Sequence, residues 1–357
     1  MWDKVGPKNW RRPLLLRADN FTPPERTPWG GRWIAQDLKS DLDLGRTEVV
    51  GESWELSVEP DFPSQLGGGE TLDAVLRSDP DALLGREAAL GSTSLLVKLL
   101  DAADNLSVQI HPEDADPALE EGQSGKPEAW YIIDAQPGAG LYLGFREGVT
   151  RDAVEAAIAD ESDVSRLLQF VPVTGGDAFV IEPGTPHAVG SGVALLEPQR
   201  VAPGARGITY RYWDWNRRYD SGGRPDPKGR PRSLHLERAL YVTRWDGPRE
   251  ASLLAKIRHP AGAPEIDGPA TIETVISRGG PLVSAVFDVR RLSGSGQIEL
   301  PTASTLRSLT VLHGCVRITH EDGETTIPRG TTVALPACLD ALGGSLEDAH
   351  AILCHLT

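Results

Sequence analysis

The sequence predicts a mainly β fold, and three observations carry that expectation. Glycine (38 residues) and proline (28 residues) are both abundant and break the chain into short apolar runs at close intervals. Runs such as Glu128-Ala129-Trp130-Tyr131-Ile132-Ile133 are rich in the β-branched and aromatic side chains that suit a pleated surface. Helical spacing surfaces in only a few places, which disfavours an alternating βα sheet and favours a jelly roll or related barrel. A chain of 357 residues accommodates roughly two domains at about 150 residues each. It is long enough to bury a substantial core, so a metal is not needed merely to fold it.

The amino terminus, Met1-Trp2-Asp3-Lys4, leads into a charged stretch whose only apolar run is Leu14-Leu15-Leu16, too short for a signal-peptide core. A cytoplasmic protein is expected, and no segment approaches the roughly 20 apolar residues of a membrane span. Residues 33–57 and 95–110 read as strands of one sheet system. Thr150 is placed to cap a helix over 151–159 with Val154, Ala157 and Ile158 as its apolar stripe. Ser162 is placed to cap a second turn carrying Val164, Leu167 and Leu168, so a small helical insert is expected near 150–170. A further helix is expected over 233–242, with Leu234, Leu236 and Leu240 inward and His235 structural. Residues 256–280, rich in Pro, Gly and Ala, read as a connection. The boundary is set near 258, giving a catalytic unit over 1–258 and a smaller barrel over 259–357. Residues 312–318 and 327–336 repeat the strand, turn, strand pattern of 176–183. Asp340 stands four residues after Pro336, where His187 stands four after Pro183, so the second barrel is expected to be metal-free. His313, His320, His350 and His355 show no clustered spacing and read as packing or surface residues. Cys315, Cys338 and Cys354 indicate no disulfide framework. The net charge of -15 disfavours nucleic acid or an anionic membrane as a partner and requires any anionic small substrate to meet a local basic pocket.

The chemistry centres on Gln109-Ile110-His111, Glu128 and Pro183-Gly184-Thr185-Pro186-His187. On a strand, Gln109 and His111 share one face because side chains alternate. Glu128 opens a strand, and the Pro-Gly turn fixes where the strand of His187 begins. One carboxylate, one amide and two imidazoles leave a divalent ion with about one positive charge uncompensated, unlike a thiolate-rich structural site. Nitrogen and oxygen ligands suit one Zn²⁺ first, with Mn²⁺, Fe²⁺ or Co²⁺ as alternatives. Lys98 lies in the apolar run 95–100, and a lysine there requires a partner or a cavity.

Residues 94–220 resemble the type I phosphomannose isomerases of the cupin superfamily. The resemblance rests on Leu95-Leu96-Val97-Lys98-Leu99-Leu100-Asp101-Ala102, Ser107-Val108-Gln109-Ile110-His111-Pro112, Gly125-Lys126-Pro127-Glu128-Ala129-Trp130-Tyr131 and Glu182-Pro183-Gly184-Thr185-Pro186-His187-Ala188. Pro28-Trp29-Gly30-Gly31 and Gly51-Glu52-Ser53-Trp54-Glu55 add weaker support. The resemblance implies a cupin barrel, with a second and smaller one, that interconverts mannose 6-phosphate and fructose 6-phosphate. It implies Gln109, His111, Glu128 and His187 as metal ligands, Arg211 as the catalytic arginine, and Ser107, Lys98 and Arg217 as phosphate contacts. Arg217 stands where some relatives carry Lys, and Pro127 where the family often has Thr. Such an isomerisation passes through an enediol and needs a base, for which Glu197 and Lys126 compete. Residues 190–192 can fold the chain back as a hairpin that brings Glu197 toward the metal. Two rival readings stay open: a metal-dependent cupin oxygenase, and a noncatalytic sugar-binding or regulatory barrel. The glutamine ligand and the Lys98 and Arg217 cations favour a sugar phosphate over the first. The coexistence of Glu197, Lys126 and Arg211 favours turnover over the second.

Overall fold

The computed structural model describes residues 10–42, 44, 49–260, 264–266, 268–277, 286–340 and 342–357. Met1-Trp2-Asp3-Lys4 and part of the 256–280 stretch lie outside the described residues. The fold is mainly β, as the turn-rich composition requires. Two antiparallel sheets build the amino-terminal jelly roll. One runs from edge to edge as Arg258–His259, Ala178–Ile181, Glu128–Ala135, Val193–Arg200, Leu95–Ala102 and Glu52–Leu56. The other runs as Tyr210–Trp213, Val108–Ile110, His187–Val189, Gly140–Phe145 and Leu168–Pro172. Leu95–Ala102 is buried at every position, which is why it reads as a continuous rather than an alternating apolar run.

The carboxyl-terminal portion forms an eight-stranded sheet dominated by Phe287–Leu300, Arg307–His320 and Leu342–Leu356. The Leu14–Leu15 strand joins this sheet by pairing with Thr332–Leu335. Apolar packing is continuous between the two regions, since Leu99, Ile132 and Leu195 share a cluster with Val275, Phe287 and Ile352. A buried ion pair adds a polar tie. Lys39 Nζ lies 2.6 Å from Glu55 Oε1 with side chains 0% and 2% exposed, and Thr332 Oγ1 donates to Glu55 Oε2 at 2.7 Å.

Several local expectations change. Ile34–Leu38 is a helical turn, because Ile34 and Leu38, four apart, are both buried on one face, and Lys39 N–H closes it onto the Ile34 carbonyl. Among the described residues of 33–57, the strand is Glu52–Leu56. Leu95–Ala102 and Val108–Ile110 lie in different sheets, with the chain crossing between them at 103–107. Thr150 caps Arg151–Ala159 by accepting the Ala153 N–H at 3.2 Å, but Asp163 rather than Ser162 caps the next turn, Val164–Leu167, and Leu168 opens a strand. Leu236–Val242 is helical with His235 at its N-cap, and Leu234 is exposed. The stretch read as a connection carries the strands Arg258–His259, Pro264–Ile266 and Ala270–Ile276, the first pairing with Ala178–Ile181. Among the described residues no helix is long and apolar enough to cross a membrane.

Candidate metal centre

His111, Glu128 and His187 converge from facing sheets. His111 follows the Val108–Ile110 strand, His187 opens the strand beside it with Gln109 directly opposite, and Glu128 opens the central strand of the other sheet. All three are buried, and their ligand atoms lie within 4.8 Å of one another. Pro127 suits the start of that strand, and its carbonyl accepts the Arg200 N–H.

Backbone carbonyls orient both imidazoles. His111 Nδ1 lies 3.1 Å from the Ile208 carbonyl and His187 Nδ1 lies 2.8 Å from the Thr185 carbonyl. A carbonyl only accepts, so each Nδ1 carries a proton, and in a neutral ring that leaves the Nε2 lone pair as the one available to a ligand. Those lone pairs face Glu128, with His111 Nε2 3.2 Å from Oε2 and His187 Nε2 3.2 Å from Oε1. Burial, reinforced by Lys126, pushes His111 down to about 3, so it is neutral near pH 7. Burial alone would raise Glu128, yet it is held well below the usual carboxylate range, with the Lys126 ammonium supplying part of the opposing attraction. Acceptors facing one another in a buried pocket repel unless a cation lies between them. The donor set therefore fits a divalent metal ion.

Gln109, Lys126, Glu197, Lys98, Glu52 and Trp130 line the same cavity. Lys126 Nζ stands 3.7 Å from Glu128 Oε2. Glu197 accepts the Trp130 indole N–H at 2.9 Å. Burial and the Glu128 charge push the Glu197 carboxyl up to about 7 against the opposing effect of Lys98 and Lys126. Lys98 lies 3.8 Å from Glu52 Oε2 and 4.0 Å from the centre of the Trp54 ring. Burial disfavours its charge, but Glu52 and Glu197 outweigh that and raise its pKa. The expected hairpin is absent. His187–Val189 and Val193–Arg200 belong to opposite sheets, so residues 190–192 form a corner and Glu197 enters from the facing wall. Gly190 abuts the Gly140 carbonyl there and Gly192 adopts φ +83, which explains two glycines at the crossing.

Ser107, Arg211 and Arg217 do not line this cavity. Ser107 directly follows Leu106, which does. Arg211 pairs in register with Gln109 and donates from Nε to Ser107 Oγ at 3.2 Å and from Nη1 to the Ser233 carbonyl at 2.9 Å. His235 Nδ1 accepts the Arg211 backbone N–H at 3.0 Å, a structural role. Arg217 is held by Asp104 and Asp214 at 2.9 and 2.6 Å.

Gln199 was missed from sequence. Its Nε2 donates to Glu128 Oε2 at 2.8 Å and orients the carboxylate. The signal lay in its spacing, since Gln199 follows Glu197 by two on the same strand face. Glu52 and Asp214 were likewise given no role from sequence.

A family model described as phosphomannose isomerase type I, catalytic domain, matches residues 25–132. The chain is 31% identical over 344 residues to a mannose-6-phosphate isomerase of Streptococcus mutans, covering 94% of this chain and 96% of that one. It is 31% identical over 243 residues to mannose-6-phosphate isomerase ManA of Bacillus subtilis, covering 68% and 69%. In fold it is similar to the crystal structure of the mannose 6-phosphate isomerase from Bacillus subtilis, with TM-score 0.75 at 24% identity over 96% of this chain and 99% of that one. A putative mannosephosphate isomerase from Archaeoglobus fulgidus gives TM-score 0.72 at 24% identity over 98% and 100%.

Proposed function

Because the chain belongs to the type I phosphomannose isomerase family, we propose that it interconverts mannose 6-phosphate and fructose 6-phosphate by moving a proton between adjacent carbons through an enediol. The observation that carries this reading is the pair of imidazole lone pairs aimed at one buried carboxylate. His111, His187, Glu128 and Gln109 would hold the cation, Zn²⁺ by preference, and it supplies positive charge where oxygen becomes anionic. Glu197 acts as the base. Its pocket disfavours charge, so taking up a proton there costs little. Lys126, beside Glu128, orients a sugar hydroxyl. Arg211 stabilises the enediol oxygens, and charge that is recognised only as it develops lowers the barrier rather than merely tightening binding. Ser107, Lys98 and Arg217 hold the phosphate. We assign this chemistry to residues 1–258. The 259–357 unit, with Asp340 where an imidazole would be needed, is assigned to packing.

The test is direct. Purified protein given mannose 6-phosphate forms fructose 6-phosphate, loses activity with a chelator and regains it with Zn²⁺ or Mn²⁺. No product with any of the four metals ends the proposal.

A further inference from the structure

Beside the Ser107 wall the fold gathers three guanidinium groups around one buried carboxylate. Asp214, 4% exposed, accepts from Arg232 Nε at 2.6 Å and Nη2 at 2.7 Å, and from Arg217 Nη2 at 2.6 Å. One carboxylate thus holds two arginines, and the fork leaves the remaining Arg232 N–H groups unspent on Asp214. Arg211 is the third cation. It donates to Ser107 and to the Ser233 carbonyl, one residue from Arg232 in sequence. Burial and the neighbouring Arg232 charge both lower the Arg211 guanidinium from its ordinary value, so the three are close enough to feel one another. Arg217 also meets Asp104, whose side chain is 59% exposed and therefore well screened. Three cations against the carboxylates of Asp214 and Asp104 leave a surplus of about one positive charge, which favours an anionic phosphate monoester as the ligand.

We propose that Arg232 is a further phosphate-recognising residue and that Asp214 is the positioning residue that holds Arg217 and Arg232 as one unit against the substrate's 6-phosphate. This rests on the isomerase reading above, in which Arg217 contacts that phosphate. The arrangement explains why a loop begins and ends at the site. Arg217 precedes and Arg232 follows the turn-rich residues 220–230, and Asp214 ties both ends together.

Steady-state kinetics of Arg232→Gln and Asp214→Asn, with inorganic phosphate as competitive inhibitor, tests the assignment. Loss of a charge-assisted contact corresponds to about ten- to a hundredfold in affinity. Arg232→Gln should raise KM for mannose 6-phosphate and Ki for phosphate together by about tenfold or more, with a much smaller fall in kcat. Asp214→Asn should move both in the same direction. Arg232→Lys, which keeps charge without the fork, should fall between parent and Arg232→Gln and stands in if Arg232→Gln does not fold. An active parent whose Arg232 variants leave KM and the phosphate Ki within about twofold overturns this inference alone, as does a kcat loss at constant KM. A parent that turns over no mannose 6-phosphate overturns the isomerase reading itself.

Discussion

Replacing Glu128 by glutamine separates what the carboxylate does for the cation from what it does for the scaffold. Gln199 Nε2 donates to Glu128 Oε2 at 2.8 Å, while Oε1 faces His187 Nε2 at 3.2 Å. In Glu128→Gln the amide oxygen keeps the Gln199 bond, and the amide nitrogen turns the His187 contact from two facing acceptors into a hydrogen bond. One such bond contributes about 1 kcal/mol. The loss of attraction to Lys126 across 3.7 Å works the other way. With chelator present, the variant should therefore unfold within about 1 kcal/mol of the parent. Metal reverses the comparison, because the variant has lost the anionic ligand. A parent with Zn²⁺ at a hundred times its dissociation constant gains about 2.7 kcal/mol, whereas a variant weakened about 10³-fold gains less than about 0.1 kcal/mol at the same concentration. Calorimetric melting with chelator and then with Zn²⁺ reads both effects. An equal Zn²⁺-induced shift in parent and variant refutes ligation by Glu128. A variant several kcal/mol less stable with chelator refutes the facing-acceptor argument.

Three further outcomes follow from the same geometry. Arg211→Ala should lower kcat by about 10²- to 10³-fold with a smaller change in KM, and Arg217→Ala should chiefly raise KM; equal effects on both parameters in both variants contradict the assigned roles. Base action requires ionised Glu197, so activity falls as pH drops through its pKa. Lys126 is one of the cations that lower that pKa, so Lys126→Met should move the acidic limb of kcat/KM to higher pH, and an unmoved limb contradicts Glu197 as the base. Glu55→Gln leaves Lys39 buried without its carboxylate and should cost about 3–5 kcal/mol in urea unfolding, while Lys39→Met combined with Glu55→Leu should recover much of it; no loss in the single variant contradicts the tie between the two regions.

Strand identity near the site was legible because it depends on local alternation. Glu128 and His187 open strands where a β-rich run and a Pro-Gly turn place them, and Gln109 and His111 lie on a common wall. Sheet membership was not legible, since it depends on where the chain crosses between sheets. Residues 103–107 and 190–192 carry no sign that distinguishes a corner from a hairpin, and so Glu197 arrives from the side opposite to the one expected. Ile34 and Leu38 sit in a run too short for periodicity to separate a helical turn from a strand. Residues 256–280 looked like a connection because Pro and Gly dilute the apolar pattern, yet their short strands gain order by pairing at sheet edges. Gln199 needed knowledge of register, for its partner Glu128 is 71 residues away. The Asp214 fork with Arg217 and Arg232 has the same cause, since part of it spans a turn-rich loop without apolar spacing.

Anomalous diffraction from crystals grown with Zn²⁺ tests the central claim most directly. The account predicts one peak per chain, bonded by His111 Nε2, His187 Nε2, Glu128 and Gln109 at about 2.0–2.2 Å. A peak bound elsewhere, or density in which the two imidazoles donate to Glu128 with no ion between them, contradicts it.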